Sequence, residues 1–199
     1  MTLDDFLTLT RNSLRQPDLA LRQLQSLDLP MQTRWMALVL VVALSSLLAG
    51  MAARMFPVPV ETGLSLLTRQ PLIMAGAQLF GMALTAWLIA NVGRAFGGRG
   101  DFADALLVVA WIEFLLVVVQ LAQVVLMGVS PLFASAMGMA IIFMLVWLTV
   151  NMVKALHGFE SAILVFLGVL GTALLTTIFL SVLAGALGLL PEIPAEVQP

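Results

Sequence analysis

The sequence predicts an all-α protein, a polytopic membrane helix bundle of five transmembrane helices with a short amphipathic segment in front of it. Three observations carry this reading. Of 199 residues, 61% are hydrophobic and 10% charged, with a mean hydropathy of +1.09; an ordinary soluble domain is about half apolar and a quarter charged. Five apolar runs are each long enough for the ~20 residues that cross hydrocarbon. Glycine- and proline-containing breaks separate them, and none shows the alternation of a barrel strand.

The runs are Trp35–Met55, Leu72–Phe96, Phe102–Met127, Leu132–Lys154 and Ser161–Leu190. Pro57 and Pro59 follow the first, and Pro71 opens the second. Gly97, Gly98 and Gly100 close the second, Gly128, Ser130 and Pro131 divide the third from the fourth, and His157 and Gly158 divide the fourth from the fifth. The last two connections are short, so the third to fifth helices are expected to be antiparallel neighbours. The fifth run exceeds a single crossing; it is expected to tilt or to lay Gly185–Leu190 in the interface. The chain thus divides into an amphipathic segment at 1–30, a five-helix domain at 31–190 and a flexible acidic tail at 191–199.

Residues 1–30 lack the basic start, apolar core and cleavage site of a secretory signal, so the first span is expected to be retained. Leu3, Phe6, Leu7 and Leu14 fall on one helical face, and Thr2 with Asp5 has capping-box spacing. Pro17 starts a second short helix, with Leu21 and Leu24 on one side and Arg22 on another. Two readings stay open: a helix pair lying on an anionic membrane face, or a plug packed under the bundle.

Orientation follows from the basic residues. With five spans, the N-terminus, the second-to-third loop and the fourth-to-fifth loop share one side. That side holds Arg11, Arg15, Arg22, Arg34, Arg94, Arg99 and Lys154, and the other holds Arg54 and Arg69. The positive-inside rule then places the N-terminus in the cytoplasm and the C-terminus outside.

The stretch Gly93–Leu106, GRAFGGRGDFADAL, invites a phosphate-loop reading because glycine amides precede a helix start. It matches neither a P-loop nor a dinucleotide fingerprint. A tight turn explains more of it: glycines end one helix, Asp101 caps the next, and Asp104 favours the first turn. Arg94 and Arg99 then mark the cytoplasmic side.

Glu113 stands roughly 18 Å into the third helix, at membrane depth. An ionisable residue there is a functional candidate that needs a partner. Gln120 shares its face and Gln123 lies further round, so the three form an intramembrane polar stripe. Glu113 is expected to be a protonated hydrogen-bonded carboxyl, to pair with Lys154 or Arg94, or to line a water-filled cavity. The alternative to any function is a buried polar group that fixes helix packing, and this reading weighs more. Asn91, Arg94, Arg99, Asn151, Lys154 and His157, with Glu160, form a polar cluster near the cytoplasmic face. It is either a vestibule or, the favoured reading, interfacial capping and snorkelling. Small residues at four-residue spacing (Ala77, Gly81 and Thr85; Ser46 and Gly50; Gly168, Thr172 and Thr176) read as packing seams, within one chain or between chains.

Catalysis finds no footing. Cysteine is absent, which excludes disulfides, thiolate metal sites and cysteine nucleophiles. The single histidine has no serine or metal-ligand partner at a recognised spacing, and no zincin, hydrolase or Walker pattern occurs. The methionines are scattered as filler. No catalytic residue, metal site or cofactor is expected, and nothing points to nucleic acid.

Taken together, the glycine-rich GGRGDFADAL leading to Trp111, the VKALHGFESA at the end of the fourth helix, and five spans behind a short amphipathic segment resemble the Yip-domain (Ypt-interacting protein) family in its compact bacterial form. The likeness covers nearly the whole chain and is strongest at Gly97–Trp111 and Trp147–Phe166. It implies a five-span protein of the bacterial inner membrane with a cytoplasmic N-terminus. Eukaryotic members are linked to vesicle traffic and bind prenylated Rab-type GTPases. This chain lacks their DLYGP motif, has no tyrosine and has no long N-terminal tail, so that partner is not carried over. The expected function is non-enzymatic: organising membrane or partner proteins, with anionic lipid headgroups at the cytoplasmic face and a membrane-protein partner or a second copy as candidates. The rival is a transporter, channel or lipid-moving protein using Glu113, Gln120 and Gln123.

The cysteine-free chain allows a direct check of orientation. In intact cells, a membrane-impermeant thiol reagent is expected to label a Gln198→Cys variant and to spare Arg99→Cys, with both labelled after lysis.

Overall fold

The computed structural model describes residues 3–56 and 71–186. Within them the chain forms seven helices: α1 (Leu3–Arg15), α2 (Pro17–Ser26), α3 (Met31–Met55), α4 (Pro71–Ala95), α5 (Phe102–Val129), α6 (Pro131–His157) and α7 (Ala162–Ala186). No strand occurs among the described residues. The helices α3 to α7 are long and apolar enough to cross a membrane. Thr2 as a cap, Pro57 and Pro59, Arg69 and the 191–199 tail lie outside the described residues.

The helix boundaries follow local chemistry. Asp101 has extended backbone and its side chain accepts the amide of Asp104 at 2.8 Å, an N-cap for α5. Pro131 opens α6, where its missing amide costs nothing. Gly158 ends α6 in the left-handed region (φ 71°), with its amide on the Ala155 carbonyl and that of Phe159 on the Lys154 carbonyl. α3 begins at Met31, four residues before the apolar run that announces it, because Arg34 belongs to its first turn.

The central helix is α5, which packs against α3, α4 and α6. Its first half is almost entirely enclosed, with Ala105, Leu106 and Val108 at 0% exposure. α7 stands at the periphery, against α6 and the α4 side. Its Val165 joins Val150 and Val153 of α6 in a small second cluster. Among the described residues, glycines at 50, 81 and 168 are not close-approach points: a Cβ there would meet nothing within 4 Å.

The two N-terminal helices dock on the bundle. Leu9, Ser13, Ala20, Leu21 and Leu24 are buried. Phe6 meets Trp111 and Phe114 edge-on, with centroids at 5.8 and 5.5 Å. The Trp111 indole donates to Ser13 Oγ at 2.8 Å, and Ser13 donates to the Leu9 carbonyl. The packed face of α1 is therefore Phe6, Leu9 and Ser13. Leu7 and Leu14, expected on that face, are instead 55% and 45% exposed. Aromatic packing on α5 sets the rotation of α1, and the more apolar neighbouring stripe is turned outward.

An ion pair locks this docking. Arg34, buried in the first turn of α3, donates to Asp104 Oδ1 at 2.6 Å and to the Leu29 carbonyl at 2.8 Å. Gln25 of α2 donates to the other oxygen, Oδ2, at 2.6 Å. Asp104 thus joins α2, α3 and α5. Truncating Arg34 strands a partly enclosed carboxylate; the cost lies between that of surface and buried pairs, about 1–3 kcal/mol. Arg34→Ala is expected to speed tryptic cleavage of α1–α2 about tenfold in detergent, since cleavage follows the opened population.

Candidate functional site

The polar residues of the bundle gather at two levels. The deeper one lies where α3, α4 and α5 meet. Ser45 and Ser46 stand roughly 21 Å along α3, and Glu113 roughly 18 Å along α5 from its cap. Gln78 of α4 joins them. Its Nε2 donates to Glu113 Oε1 at 2.7 Å and to Ser45 Oγ at 3.2 Å, and its Oε1 accepts from Ser46 Oγ at 3.1 Å. Ser45 also reaches the Glu113 carboxyl. Both amide hydrogens and the amide oxygen of Gln78 are therefore engaged, and Glu113 is 5% exposed. No buried side-chain nitrogen or oxygen among the described residues lacks a partner.

This cluster differs in membership from the stripe expected along α5. Glu113 is held by Gln78 and Ser45, and neither Lys154 nor Arg94 reaches it. Gln123 lies about 80° round the helix from Glu113 and donates to the Ala134 carbonyl of α6 at 3.1 Å. Gly138 leaves it room there, since a Cβ would stand 2.9 Å from Gln123 Nε2. Gln120 is half-buried. Gln78 escaped the sequence reading although it carried a signal, being an amide only six residues into the second apolar run.

The second level is the junction between the α4–α5 and α6–α7 turns. His157, 2% exposed, is the last residue of α6. Its Nδ1 accepts the Gly100 amide at 3.1 Å, so Nε2 carries the proton and donates to the Ile89 carbonyl at 3.0 Å. Phe159 stacks on the ring at 5.3 Å. The Arg99 amide donates to the His157 carbonyl at 3.3 Å. Three glycines make the socket: a Cβ at Gly93, Gly98 or Gly100 would stand 2.2, 2.4 or 2.8 Å from the imidazole, and 2.7 Å from Leu156 at Gly100.

The remaining members of the expected polar cluster do not converge on His157 into a vestibule. Asn91 and Asn151 each donate back to a carbonyl one turn earlier, that of Trp87 and of Trp147. Arg94 donates to Asn91 Oδ1 at 3.0 Å and to the Ala90 carbonyl at 3.1 Å. Arg99 is exposed and Lys154 half-buried. Among the described residues no group of three or more His, Cys, Asp or Glu could hold a metal.

Five apolar helices, a polar clasp between three of them and a histidine-locked pair of turns define a polytopic helical membrane protein. The chain belongs to the Yip1 domain family, which matches residues 11–184 and so takes in the C-terminal end of α1, all of α2 to α6 and nearly all of α7. No curated protein and no solved structure matches it. The stretches that carry the resemblance, Gly97–Trp111 and Trp147–Phe166, are the two sides of the His157 junction.

A contact made by a ring base, rather than by a flexible tip, cannot relax cheaply. Gly98→Ala is expected to cost about 3 kcal/mol by overpacking, lowering the detergent melting temperature by roughly 6–12 °C. Gly97→Ala meets no atom and pays only for its positive φ of 86°, about 1–2 kcal/mol. The nearest atoms met by Gly93→Ala are Nε2, Cε1 and Cδ2 of the His157 ring, so in a His157→Ala background its penalty should largely vanish while that of Gly97→Ala persists.

Proposed function

We propose that this protein is a non-enzymatic membrane organiser of the Yip1 domain family, seated in a bacterial inner membrane with its N-terminal helices on the cytoplasmic side. The observation that carries the reading is the docked N-terminal pair. Its inner face is bound to the bundle through Phe6, Ser13 and the Arg34–Asp104–Gln25 contact. Its outer face leaves Arg11 and Arg15 of α1 exposed beside Leu7 and Leu14, and Arg22 of α2 exposed as well. Cations beside an apolar stripe, held rigidly at the membrane border, suit anionic headgroups. The organiser gathers such lipid, or a membrane-protein partner, around the bundle.

The sealed state of Glu113 favours this reading over transport. A carboxyl that handles an ion or proton along a path needs an open cavity, whereas this one is enclosed by Gln78 and Ser45. In proteoliposomes, Glu113→Gln is accordingly expected to leave ion flux and lipid scrambling at the level of the parent protein.

In nanodiscs of mixed zwitterionic and anionic lipid, the parent protein is expected to retain anionic lipid on delipidation. The triple variant Arg11→Gln/Arg15→Gln/Arg22→Gln should lose most of that enrichment, and raised salt should mimic it. Equal retention by parent and variant would remove the lipid arm of the proposal; crosslinking and pull-down from native membrane would then test the protein-partner arm.

A further inference from the structure

A cleft of about 240 Å³ opens between the N-terminal pair and the bundle. α1 contributes Phe6 and Leu9, α3 contributes Ala37, Leu40 and Val41, and α5 contributes Leu107, Trp111 and Phe114, with α2 and its following turn completing the wall. Every lining residue is apolar. The one polar atom of these side chains, the Trp111 indole nitrogen, is already committed to Ser13.

The depth of the cleft decides what can fill it. α5 has 28 residues, about 42 Å against a hydrocarbon thickness of about 30 Å. With equal overhang at the two faces, Leu107 to Phe114 lies within roughly the first 12 Å of hydrocarbon on the side of the N-terminal segment. The mouth is continuous with the lipid-facing surface of α3. Leu40, which lines the cleft, is 60% exposed and stands in line with the exposed Met36, Leu44 and Leu47. Water has no polar group to bind there, and an unfilled cleft forfeits dispersion contacts along its whole wall. A hydrocarbon chain from the adjoining leaflet supplies them without desolvating anything.

We propose that this cleft holds one acyl chain of a phospholipid from the leaflet that faces the N-terminal segment, clamped between α1 and the α3–α5 surface. The site is distinct from the exposed arginines: it selects hydrocarbon, with no requirement on headgroup charge. α1 then acts as a clasp around a resident lipid.

Trp111 in the cleft wall reports occupancy. A protein carrying Trp35→Phe, Trp87→Phe and Trp147→Phe keeps Trp111 alone, and the reciprocal protein keeping Trp87 alone reports ordinary lipid contact on α4, where Trp87 is 53% exposed. Both are reconstituted in purely zwitterionic vesicles with chain-brominated phosphatidylcholine, so the result is independent of the anionic-lipid proposal. Trp111 fluorescence is expected to be quenched. Ala37→Leu, which fills the cleft floor, should reduce that quenching at least twofold and leave Trp87 unaffected. Leu47→Ala, on the same exposed line of α3 but outside the cleft, should leave Trp111 quenching undiminished and controls for a general effect of substituting α3. Absence of Trp111 quenching, or quenching untouched by Ala37→Leu, overturns the proposal. Quenching that rises as protein is diluted in lipid overturns it as well, because a second copy would then be the occupant.

Discussion

The imidazole of His157 stands where three segments of chain must agree. It closes α6, accepts an amide from the α4–α5 turn, donates to the last full turns of α4 and lies under Phe159 of the next turn. In hydrocarbon or at its border, a polar group left alone is costly and apolar side chains give little direction to helix association. One ring with both nitrogens satisfied therefore specifies register where Leu and Val cannot. The glycines around it follow from the same constraint, since three backbones approach a flat ring closely only without Cβ atoms. The turn placed by this junction begins α5 at Asp101, which puts Asp104 in reach of Arg34 and Gln25, and that contact in turn holds the N-terminal pair.

The clasp of Ser45, Ser46, Gln78 and Glu113 applies the same rule deeper in the bundle. Interhelical hydrogen bonds of this kind contribute about 0.6 kcal/mol each on average, so they stabilise modestly. Their larger effect is on alternatives: rotating α3, α4 or α5 would strand a carboxyl or an amide in hydrocarbon. A polar residue at membrane depth is a functional candidate by default, and here a closed set of partners accounts for it without a transported ligand.

The N-terminal pair shows one helix with two apolar stripes, only one of them buried. α1 spends Phe6, Leu9 and Ser13 on the bundle and presents Leu7 and Leu14, with the arginines beside them, outward. The rotation is set by Trp111 and Phe114, not by the count of leucines. A helix whose docking was set by apolar area alone would turn its most apolar stripe inward; α1, docked through Phe6, Leu9 and Ser13, leaves a second apolar stripe exposed.

The sequence alone determined the five helices, the turns from α4 onward, the Asp101 cap, the terminal Gly158 and the family, because in a membrane chain these depend on run length, glycine, proline and short motifs. It also exposed Glu113, since a carboxyl in an apolar run cannot hide. What only the tertiary structure decided was which residues meet. A helix that is apolar all round carries no period that says which face is inside. The central place of α5 was thus illegible, and so was the choice of Gln78 over Gln120 as partner of Glu113; α1 does carry a period, but the outward turn of Leu7 and Leu14 depends on Trp111 and Phe114 of a distant helix. The glycines of GGRG were legible as a turn, but their need for the His157 ring, some 57 residues away, is a fact of packing that no local pattern encodes.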